Sequence, residues 1–503
     1  MTSRTIKKAP SEQYMSADGA DGIHSKTLSS TQLNAVITSF IHDDQNELTI
    51  LGPPGTGKTR TLLRHYAELE SLNPGNSLII SFSKAGANAA YGQTVHSLAY
   101  QLLHHPNLAE SDEAIKLWNQ QYPEISIAQN QDFSNEHIGS QLLGAYNLAR
   151  LNSAPLHGTL KTFAQKWQDF KYQTQSLDFT DLIQQALNTE LANTPQVIFV
   201  DEAQDLTPWE LQLIRHWAEN SKIIWAGDDD QSIYTWRGAN PHGFLAPNHL
   251  TLAQSYRIPQ NIHSISQSWI KQIKERQPKI YFPTSETGKI RGIPDASWQQ
   301  PLPVIQEIAH DPKNKMLLAP IKKMLSPSIH LLQDLGVPYH NPYSENPLYN
   351  PMNTMIANLV RAILTNRWRG KDLNTLSTLT KIKLPQYAQN VIVPKNLLPP
   401  ELLNQDPLWL WPHLNTTQRT NFTYLMKVKN RYGPEALNPK NALIIGTIHS
   451  VKGGEANTVF LFPSSSLLTR REDTARIFYV AITRTINTLA ICAPQGWNPL
   501  GGI

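Results

Sequence analysis

The chain has 503 residues, of which 40% are hydrophobic and 17% charged, and its single cysteine is Cys492. At roughly 100–200 residues per domain, this length predicts two to four domains. A single cysteine excludes an internal disulfide framework and a multi-cysteine zinc site, and it favours a reducing compartment. The net charge of +4 is too small to indicate nucleic-acid binding by itself.

The N-terminal segment lacks the features of a targeting signal. Residues 1–26 are polar and contain no apolar core of the kind found in signal peptides. No uncharged apolar stretch in the sequence reaches the roughly 20 residues that span a bilayer. We therefore expect a flexible tail at 1–27, a cytoplasmic location and no membrane partner. The segment 28–41 then predicts an amphipathic helix, because its apolar residues recur at helical spacing.

Two sets of short apolar segments, separated by helix-compatible stretches, predict β-strands. Strands that alternate with helices are typical of an α/β fold with a doubly wound parallel sheet. We expect one sheet from each set, and ligands bind such sheets at the carboxyl ends of the strands. The first set lies within 46–69, 77–83, 197–205 and 222–231, and the second within 314–321, 442–455, 458–463 and 487–494.

The segment GPPGTGKT matches the phosphate-binding pattern G-x-x-x-x-G-K-[ST], between a predicted strand and a predicted helix. Its backbone N–H groups are expected to surround phosphate oxygens, with Lys58 reaching the β- and γ-phosphates and Thr59 binding Mg²⁺. The alternative is a Gly- and Pro-rich surface turn, which the strand–loop–helix context disfavours. The nucleotide-binding residues of this loop are Gly52, Pro53, Pro54, Gly55, Thr56, Gly57, Lys58 and Thr59.

The segment VIFVDE places two adjacent carboxylates, Asp201 and Glu202, at the end of an apolar strand. In nucleotide hydrolases an acidic residue at this point holds Mg²⁺, and another acts as general base for the attacking water. We assign the first role to Asp201 and the second to Glu202. With the phosphate loop, this pair predicts a P-loop nucleotide hydrolase, which is a class with many functions.

Four motifs accompany the phosphate loop in a fixed order: VDEAQD at 200–205, GDDDQSIYTWRGA at 227–239, TIHSVKGGE at 447–455 and YVAITR at 479–484. Together they resemble the motifs of superfamily 1 helicases of the UvrD/Rep type, and the resemblance extends over 28–338 and 441–491. It implies two RecA-like parallel-sheet P-loop domains, each with a mostly helical insertion. The implied boundaries are 28–100 and 166–255 for the first domain, 101–165 for its insertion, 256–345 and 441–503 for the second domain, and 346–440 for a reduced second insertion.

The resemblance also implies which residues bind the base and sugar of the nucleotide, with ATP and Mg²⁺ as cofactors. Gln32 would read the adenine edge, and Tyr256 would stack on the adenine ring. Arg60 would lie close to the nucleotide, and Glu455 would contact the ribose.

Three further residues, Gln231, Arg257 and Arg484, resemble the family's γ-phosphate sensors. A guanidinium at this point stabilises the charge that develops on the transferred phosphoryl group. Since the arginines are expected on the second domain and Lys58 on the first, ATP would lie between the domains and draw them together.

A second group of residues is implied to bind a single nucleic-acid strand. Aromatic side chains stack on bases regardless of sequence, while hydroxyl and imidazole groups contact the backbone. Trp236 is expected to stack on a base and Phe82 to insert between bases. Because Gln231 and Trp236 are five residues apart, a movement at the γ-phosphate could shift the base platform. The full set is Phe82, Thr94, His96, Tyr234, Trp236, Thr447 and His449, with Ser81 beside them.

These features predict an ATP-dependent DNA helicase or single-stranded DNA translocase that moves 3′–5′ and also binds duplex junctions. Replication or repair proteins are expected as partners, and a monomer or weak oligomer is the expected state. The second insertion is short for the family, which favours translocation over strong unwinding. Two small departures are Thr485, where the family usually has Ala, and Gly454, where Leu is frequent.

Three alternatives stay open at this point. One is an ATP-driven nucleic-acid clamp that does not step, although the intact hydrolytic residues argue against it. Another is an RNA-directed ATPase with little unwinding, because contacts to the 2′-hydroxyl leave no mark in these motifs. The last is a helicase–nuclease subunit, which is disfavoured because only twelve residues follow residue 491.

Overall fold

The structure is a computed structural model that describes residues 26–28, 30–82, 92–128, 137–344, 346–403, 406–463 and 471–492. The predicted tail at 1–27 therefore lies almost wholly outside the described residues. The described strands are β1 (Lys26–Leu28), β2 (Glu47–Leu51), β3 (Ser77–Ser81), β4 (Asn107–Leu108), β5 (Ser176–Leu177), β6 (Val197–Asp201), β7 (Lys222–Gly227), β8 (His249–Leu252), β9 (Lys289–Gly292), β10 (Lys315–Ala319), β11 (Tyr339–His340), β12 (Trp368–Arg369), β13 (Ile392–Val393), β14 (Leu443–Thr447), β15 (Ala456–Leu461) and β16 (Thr485–Ile491).

The described α-helices lie between these strands and in two longer helical regions. They are α1 (Ser30–Ile41), α2 (Lys58–Leu72), α3 (Val95–Leu102), α4 (Asp112–Gln121), α5 (Ile138–Leu151), α6 (Gly158–Thr174), α7 (Phe179–Ala186), α8 (Pro208–Trp217), α9 (Gln260–Ile270), α10 (Leu302–His310), α11 (Ser326–Asp334), α12 (Met355–Thr365), α13 (Gly370–Thr380), α14 (Thr416–Tyr432) and α15 (Arg471–Ile482). Among the described residues, none of these helices is long and apolar enough to cross a membrane.

The first sheet has the strand order β1–β8–β2–β7–β6–β3, and every neighbouring pair is parallel. Its strand β6 is buried at every position, which is typical of a strand covered on both faces. Because all strands run the same way, the carboxyl ends of β2, β6 and β7 meet at one edge. The phosphate loop, the acidic pair and the segment 228–231 follow those three strands, and this edge therefore positions the candidate site.

The second sheet has the order β11–β14–β10–β15–β16–β9 and is also parallel throughout. Its strand β14 leads directly into the segment that contains His449 and Lys452. The helix α15 leads through Thr483 to Arg484 and the final strand. The predicted α/β fold with two parallel sheets is confirmed.

Local sequence explains where the helices of the first sheet begin. At α8, Thr207 Oγ1 accepts a hydrogen bond from Glu210 N, and the Glu210 carboxylate accepts one from Thr207 N. This reciprocal arrangement is a capping box, and Pro208 occupies the first helical position, where its missing N–H costs nothing. The cap also fixes Glu210 beside the nucleic-acid candidates described below.

The two helical regions pack differently. Helices α4, α5 and α6 form a separate small core around Trp118, Phe163 and Trp167. Helices α12, α13 and α14 instead share one continuous core with the second sheet, which joins Leu359 and Leu425 to the strand residues. The region predicted as the second insertion is thus packed onto its sheet.

Candidate nucleotide site and nucleic-acid interface

The phosphate loop lies between the last residue of β2 and the first residue of α2. Gly55 and Gly57 have φ values of 75° and 85°, which favour glycine because other residues strain there. A Cβ atom on Gly55 would also lie 2.5 Å from Arg257 Cβ. The loop is therefore shaped by its own turn and by the close approach of a residue from the second half of the chain.

Two polar side chains of this loop face the acidic strand end. Lys58 is buried, and its Nζ donates to Gly52 O at 2.6 Å. Thr59 Oγ1 donates to Asp201 Oδ2 at 2.6 Å. Burial and the neighbouring Glu202 charge raise the pKa of Asp201 to about 6. The ammonium, hydroxyl and carboxylate thus converge where phosphate is expected.

The pair Thr59 and Asp201 has the donor chemistry that Mg²⁺ prefers, one hydroxyl and one carboxylate oxygen. Among the described residues, no group of three or more His, Cys, Asp or Glu side chains could hold a metal. Mg²⁺ commonly takes one or two protein ligands, with the rest from phosphate and water. These residues therefore fit a nucleotide-bound Mg²⁺.

Glu202 follows β6 in a left-handed conformation, with a φ of 54°. Gln204 Nε2 donates to its Oε2 at 2.6 Å. Burial alone would raise the pKa of Glu202, but the positive charges of Lys58 and Lys452 lower it to about 2. The carboxylate is ionised at neutral pH, as a general base must be.

Residues of the second sheet close the site. Arg484 is buried, and its NH2 group donates to Gln231 Oε1 at 2.9 Å. Arg257 Nε donates to Glu455 Oε2 at 2.5 Å. Burial and the nearby Arg257 lower the pKa of Arg484 to about 9. The two guanidinium groups are both positively charged and repel each other, so a bound anion would stabilise them. A γ-phosphate has the required negative charge.

The candidates for the base and sugar lie at the rim. Tyr256 is 67% exposed, and its backbone N donates to Gly55 O at 2.9 Å, which places the main chain of this residue beside the phosphate loop. Arg60 is exposed on α2. Gln32 lies in α1, but its side chain is outside the described part of the chain. The Glu455 carboxylate is paired with Arg257, and its side chain is 49% exposed.

Two buried residues that we did not single out from the sequence hold this site together. Gln204 Oε1 accepts from Asp228 N at 3.0 Å, and Gln231 Nε2 donates to Asp228 Oδ2 at 2.7 Å. Asp228 therefore orients the amide whose oxygen meets Arg484. Gln204 lies within the motif VDEAQD and Asp228 within GDDDQSIYTWRGA, and this membership of the motifs was the signal available in the sequence.

A cluster of buried ion pairs, which we did not predict from the sequence, joins the segment after β7 of the first sheet to the segment before β9 of the second sheet. Lys279 Nζ lies 3.0 Å from both Asp228 Oδ1 and Asp230 Oδ2 and also contacts Asp229. Arg276 donates two hydrogen bonds to Asp230, at 2.8 and 2.6 Å. Three adjacent buried aspartates require cations nearby, but nothing in the spacing shows which ones.

Four of the nucleic-acid candidates form a group that we call the aromatic cluster: Phe82, Tyr234, Trp236 and His449. The ring centre of Tyr234 lies 4.9 Å from that of Phe82, 6.4 Å from that of Trp236 and 5.6 Å from that of His449. Trp236 is 49% exposed, whereas burial lowers the pKa of His449 to about 4 and keeps it neutral. Since His449 follows β14, both sheets contribute to the cluster.

The other candidates have local structural contacts. Thr94 Oγ1 accepts from Ser97 N at 3.1 Å and caps α3, and Thr447 Oγ1 accepts from Ser450 N at 3.2 Å. A hydroxyl that accepts one hydrogen bond can also donate one. His96 Nδ1 lies 3.4 Å from Glu210 Oε1. Ser81 is only 1% exposed at the end of β3, and its contact with a nucleic-acid backbone stays a prediction.

Comparisons with known proteins agree with this arrangement. Residues 100–250 match the UvrD/REP helicase N-terminal domain, and residues 443–492 match the UvrD-like helicase C-terminal domain. These ranges contain the acidic pair, the segment 227–239 and the segment 447–455, which form part of the site described above, whereas the phosphate loop lies outside them.

Curated relatives include the ATP-dependent DNA helicase PcrA of Staphylococcus aureus, which is 24% identical over 308 residues covering 51% of this chain and 42% of the relative. PcrA of Leuconostoc citreum is 26% identical over 302 residues, or 50% and 40% of the two chains. This chain thus spans less than half the length of these relatives. The helicase nonstructural protein 10 of an arterivirus aligns loosely with 93% of this chain and 64% of its own, at 12% identity and a TM-score of 0.34. The resemblance to superfamily 1 helicases of the UvrD/Rep type is therefore confirmed over residues 100–250 and 443–492, where the two domains follow each other in the expected order.

Proposed function

We propose that the protein is an ATP-driven motor that moves along single-stranded DNA in the 3′–5′ direction. The hydrogen bond between Arg484 and Gln231 carries this proposal, because it joins the two sheets at the expected position of the γ-phosphate. The same loop continues to Trp236 in the aromatic cluster. A movement of Gln231 at the γ-phosphate can therefore be transmitted along five residues of one loop to Trp236 in the aromatic cluster.

In the proposed hydrolysis, the phosphate loop and Lys58 bind the triphosphate, while Thr59 and Asp201 hold Mg²⁺. Bound Mg²⁺ would neutralise charge on the β- and γ-phosphate oxygens. Glu202 accepts a proton from the attacking water. Gln231, Arg257 and Arg484 orient the γ-phosphate and stabilise its charge in the transition state.

The aromatic cluster would bind the DNA strand by stacking, which tolerates any base. The relatives named as DNA helicases support DNA as the track. The proposed ATP site has residues from both sheets, so ATP binding should draw the two sheets together, an arrangement that we call closed. ATP hydrolysis should then allow the sheets to separate. Because Trp236 belongs to the first sheet and His449 to the second, closure changes the distance between points that hold the strand.

The length and packing of the region 346–440 support translocation with weak unwinding. Its helices share a core with the second sheet, so that it is not free to move as a separate arm. The implied domain boundaries, the cytoplasmic location and the partners, including duplex junctions and replication or repair proteins, stay predictions.

The first test is ATP hydrolysis with and without single-stranded DNA. We expect strong stimulation by DNA, loss of hydrolysis in Lys58→Ala, and normal hydrolysis in Lys161→Ala, a matched exposed lysine on α6. Hydrolysis that DNA leaves unchanged but RNA stimulates would contradict DNA as the track. Binding of ATP without turnover would favour the clamp.

A further inference from the structure

Lys452 extends from the loop after β14 of the second sheet into the first-sheet side of the site. Its side chain is 8% exposed. Its Nζ contacts the Asp205 carboxylate, donates to Gln231 O at 2.7 Å and lies 3.9 Å from Glu202 Oε2. The same ammonium lies 5.6 Å from the ring centre of Tyr234, within cation–π range.

The carboxylate that Lys452 meets is itself unusual. The Asp205 side chain is fully buried, and among the described residues its Oδ1 has no hydrogen-bond partner. Burial raises the pKa of Asp205 to about 6, despite the nearby ammonium. A buried ion pair of this kind adds little net stability, since well-packed apolar residues often serve as well. Its contacts suggest a role other than stability.

We propose that Lys452 is a positioning residue that couples the nucleotide site to the aromatic cluster. This inference rests on the proposed function, since it assumes that both sites bind their ligands. One ammonium lies 3.9 Å from the proposed general base Glu202, donates to the backbone of the proposed γ-phosphate sensor Gln231 and lies 5.6 Å from the ring centre of Tyr234 in the aromatic cluster. When the second sheet moves relative to the first, Lys452 moves with its loop, and all of these contacts change together.

The chemistry of lysine suits this task. An ammonium is a compact charge with three donors, and it satisfies Asp205 and Gln231 O together only when the loops are close. Withdrawal of the loop that carries Lys452 would remove the cation from the Asp205 carboxylate, whose Oδ1 has no hydrogen-bond partner among the described residues. The position of this loop relative to Asp205 is therefore the feature through which Lys452 would couple the two sites.

The test measures coupling directly, as the ratio of single-stranded DNA dissociation constants without and with a non-hydrolysable ATP analogue. The probe is a fluorescent oligothymidine. Typical couplings change affinity by about 5–150-fold. We expect a ratio well away from one in the wild-type protein and close to one in Lys452→Met/Asp205→Asn, which removes both charges and leaves no unpaired buried carboxylate.

Two further variants make the result specific. Lys452→Arg keeps the charge and should retain part of the coupling, whereas Lys440→Met removes an exposed lysine and should retain all of it. Thermal unfolding checks that each variant folds. A folded double variant with wild-type coupling would overturn the role of Lys452 alone. A wild-type protein that binds no DNA, or binds it equally with and without the analogue, would overturn the proposed function as well.

Discussion

The guanidinium of Arg484 donates a hydrogen bond to the side-chain oxygen of Gln231, although 253 residues separate them in the chain. Arg484 follows the last helix of the second sheet, and Gln231 belongs to the loop after β7 of the first. Gln231 is held from the other side by Asp228, whose charge Lys279 balances. Both halves of the chain therefore contribute to the proposed γ-phosphate site.

Replacing Arg484 tests whether this residue stabilises the γ-phosphate during hydrolysis. Arg484→Ala should lower kcat for ATP hydrolysis by roughly 10³-fold, the lower end of what an arginine finger contributes. Arg484→Lys keeps the charge but loses the planar fork, and we expect an intermediate loss. Steady-state hydrolysis with saturating single-stranded DNA measures both. Arg291→Ala, at a solvent-exposed ion pair with Glu307, is the control. A kcat within threefold of the wild type would contradict the assigned role.

Replacing Trp236 tests whether the aromatic cluster binds single-stranded DNA. Trp236→Ala should weaken binding of single-stranded DNA by about 5–150-fold, because one base–aromatic stack contributes about 1–3 kcal/mol. Tyr172→Ala is a matched control, since it removes a ring that is 87% exposed on α6. Fluorescence anisotropy with a labelled oligonucleotide measures the affinity. Equal losses in the two variants would show that Trp236 has no specific contact with the strand.

Tyr343 and Gly454 form a pair that explains a departure from the family pattern. A Cβ on Gly454 would lie 2.8 Å from Tyr343 Cε2, so the ring occupies the place of a side chain at 454. Gly454→Leu should destabilise the protein by about 1 kcal/mol, the low end of the cost of overpacking, because the Tyr343 ring is 37% exposed and can move aside. Tyr343→Ala should restore part of the loss in the double variant. Thermal unfolding tests this, and strictly additive effects would rule out the steric explanation.

The raised pKa of Glu110 should make the stability of the protein depend on pH. Burial and the nearby Asp178 charge raise its pKa to about 8, with Asp181 adding to the shift and Lys171 opposing it. Because the folded state holds the Glu110 proton more tightly than the unfolded state does, protonation favours folding. This contribution is fully present below the ordinary pKa of 4.5 and is lost as pH rises through about 8.

Glu110→Gln can still accept the hydrogen bond from Phe179 N but carries no charge. The variant should gain stability relative to the wild type between pH 5 and pH 9, by at least about 1.4 kcal/mol, which corresponds to one pKa unit. Urea unfolding at the two pH values measures this, with exposed Glu113→Gln as control. A difference that does not change with pH would contradict the raised pKa.

The sequence predicted those parts of the site that depend on local patterns. The phosphate loop, β6 with Asp201 and β7 before Asp228 are each encoded within about ten residues. Parallel pairing then brings their ends to one edge. We did not predict that Thr94 caps α3, although the Ser three residues later was a local signal, and the contact of Thr94 with nucleic acid stays a prediction.

The remaining contacts depend on residues far apart in the chain. Lys452 meets Asp205 across 247 residues, and Lys279 meets Asp229 across 50. A motif shows that Lys452 is present but not which carboxylate it reaches. The packing of 346–440 onto the second sheet likewise follows from side chains such as Leu359, whose partners no local pattern reveals.

Directional movement along a single strand tests the central claim most directly. Streptavidin is bound to biotin at either the 5′ or the 3′ end of an oligonucleotide, and its release is followed with ATP present. A 3′–5′ motor should displace streptavidin from the 5′ end much faster than from the 3′ end, and Lys58→Ala should displace it from neither. DNA-stimulated ATP hydrolysis without release from either end would contradict the motor and indicate a clamp. Faster release from the 3′ end would reverse the proposed direction.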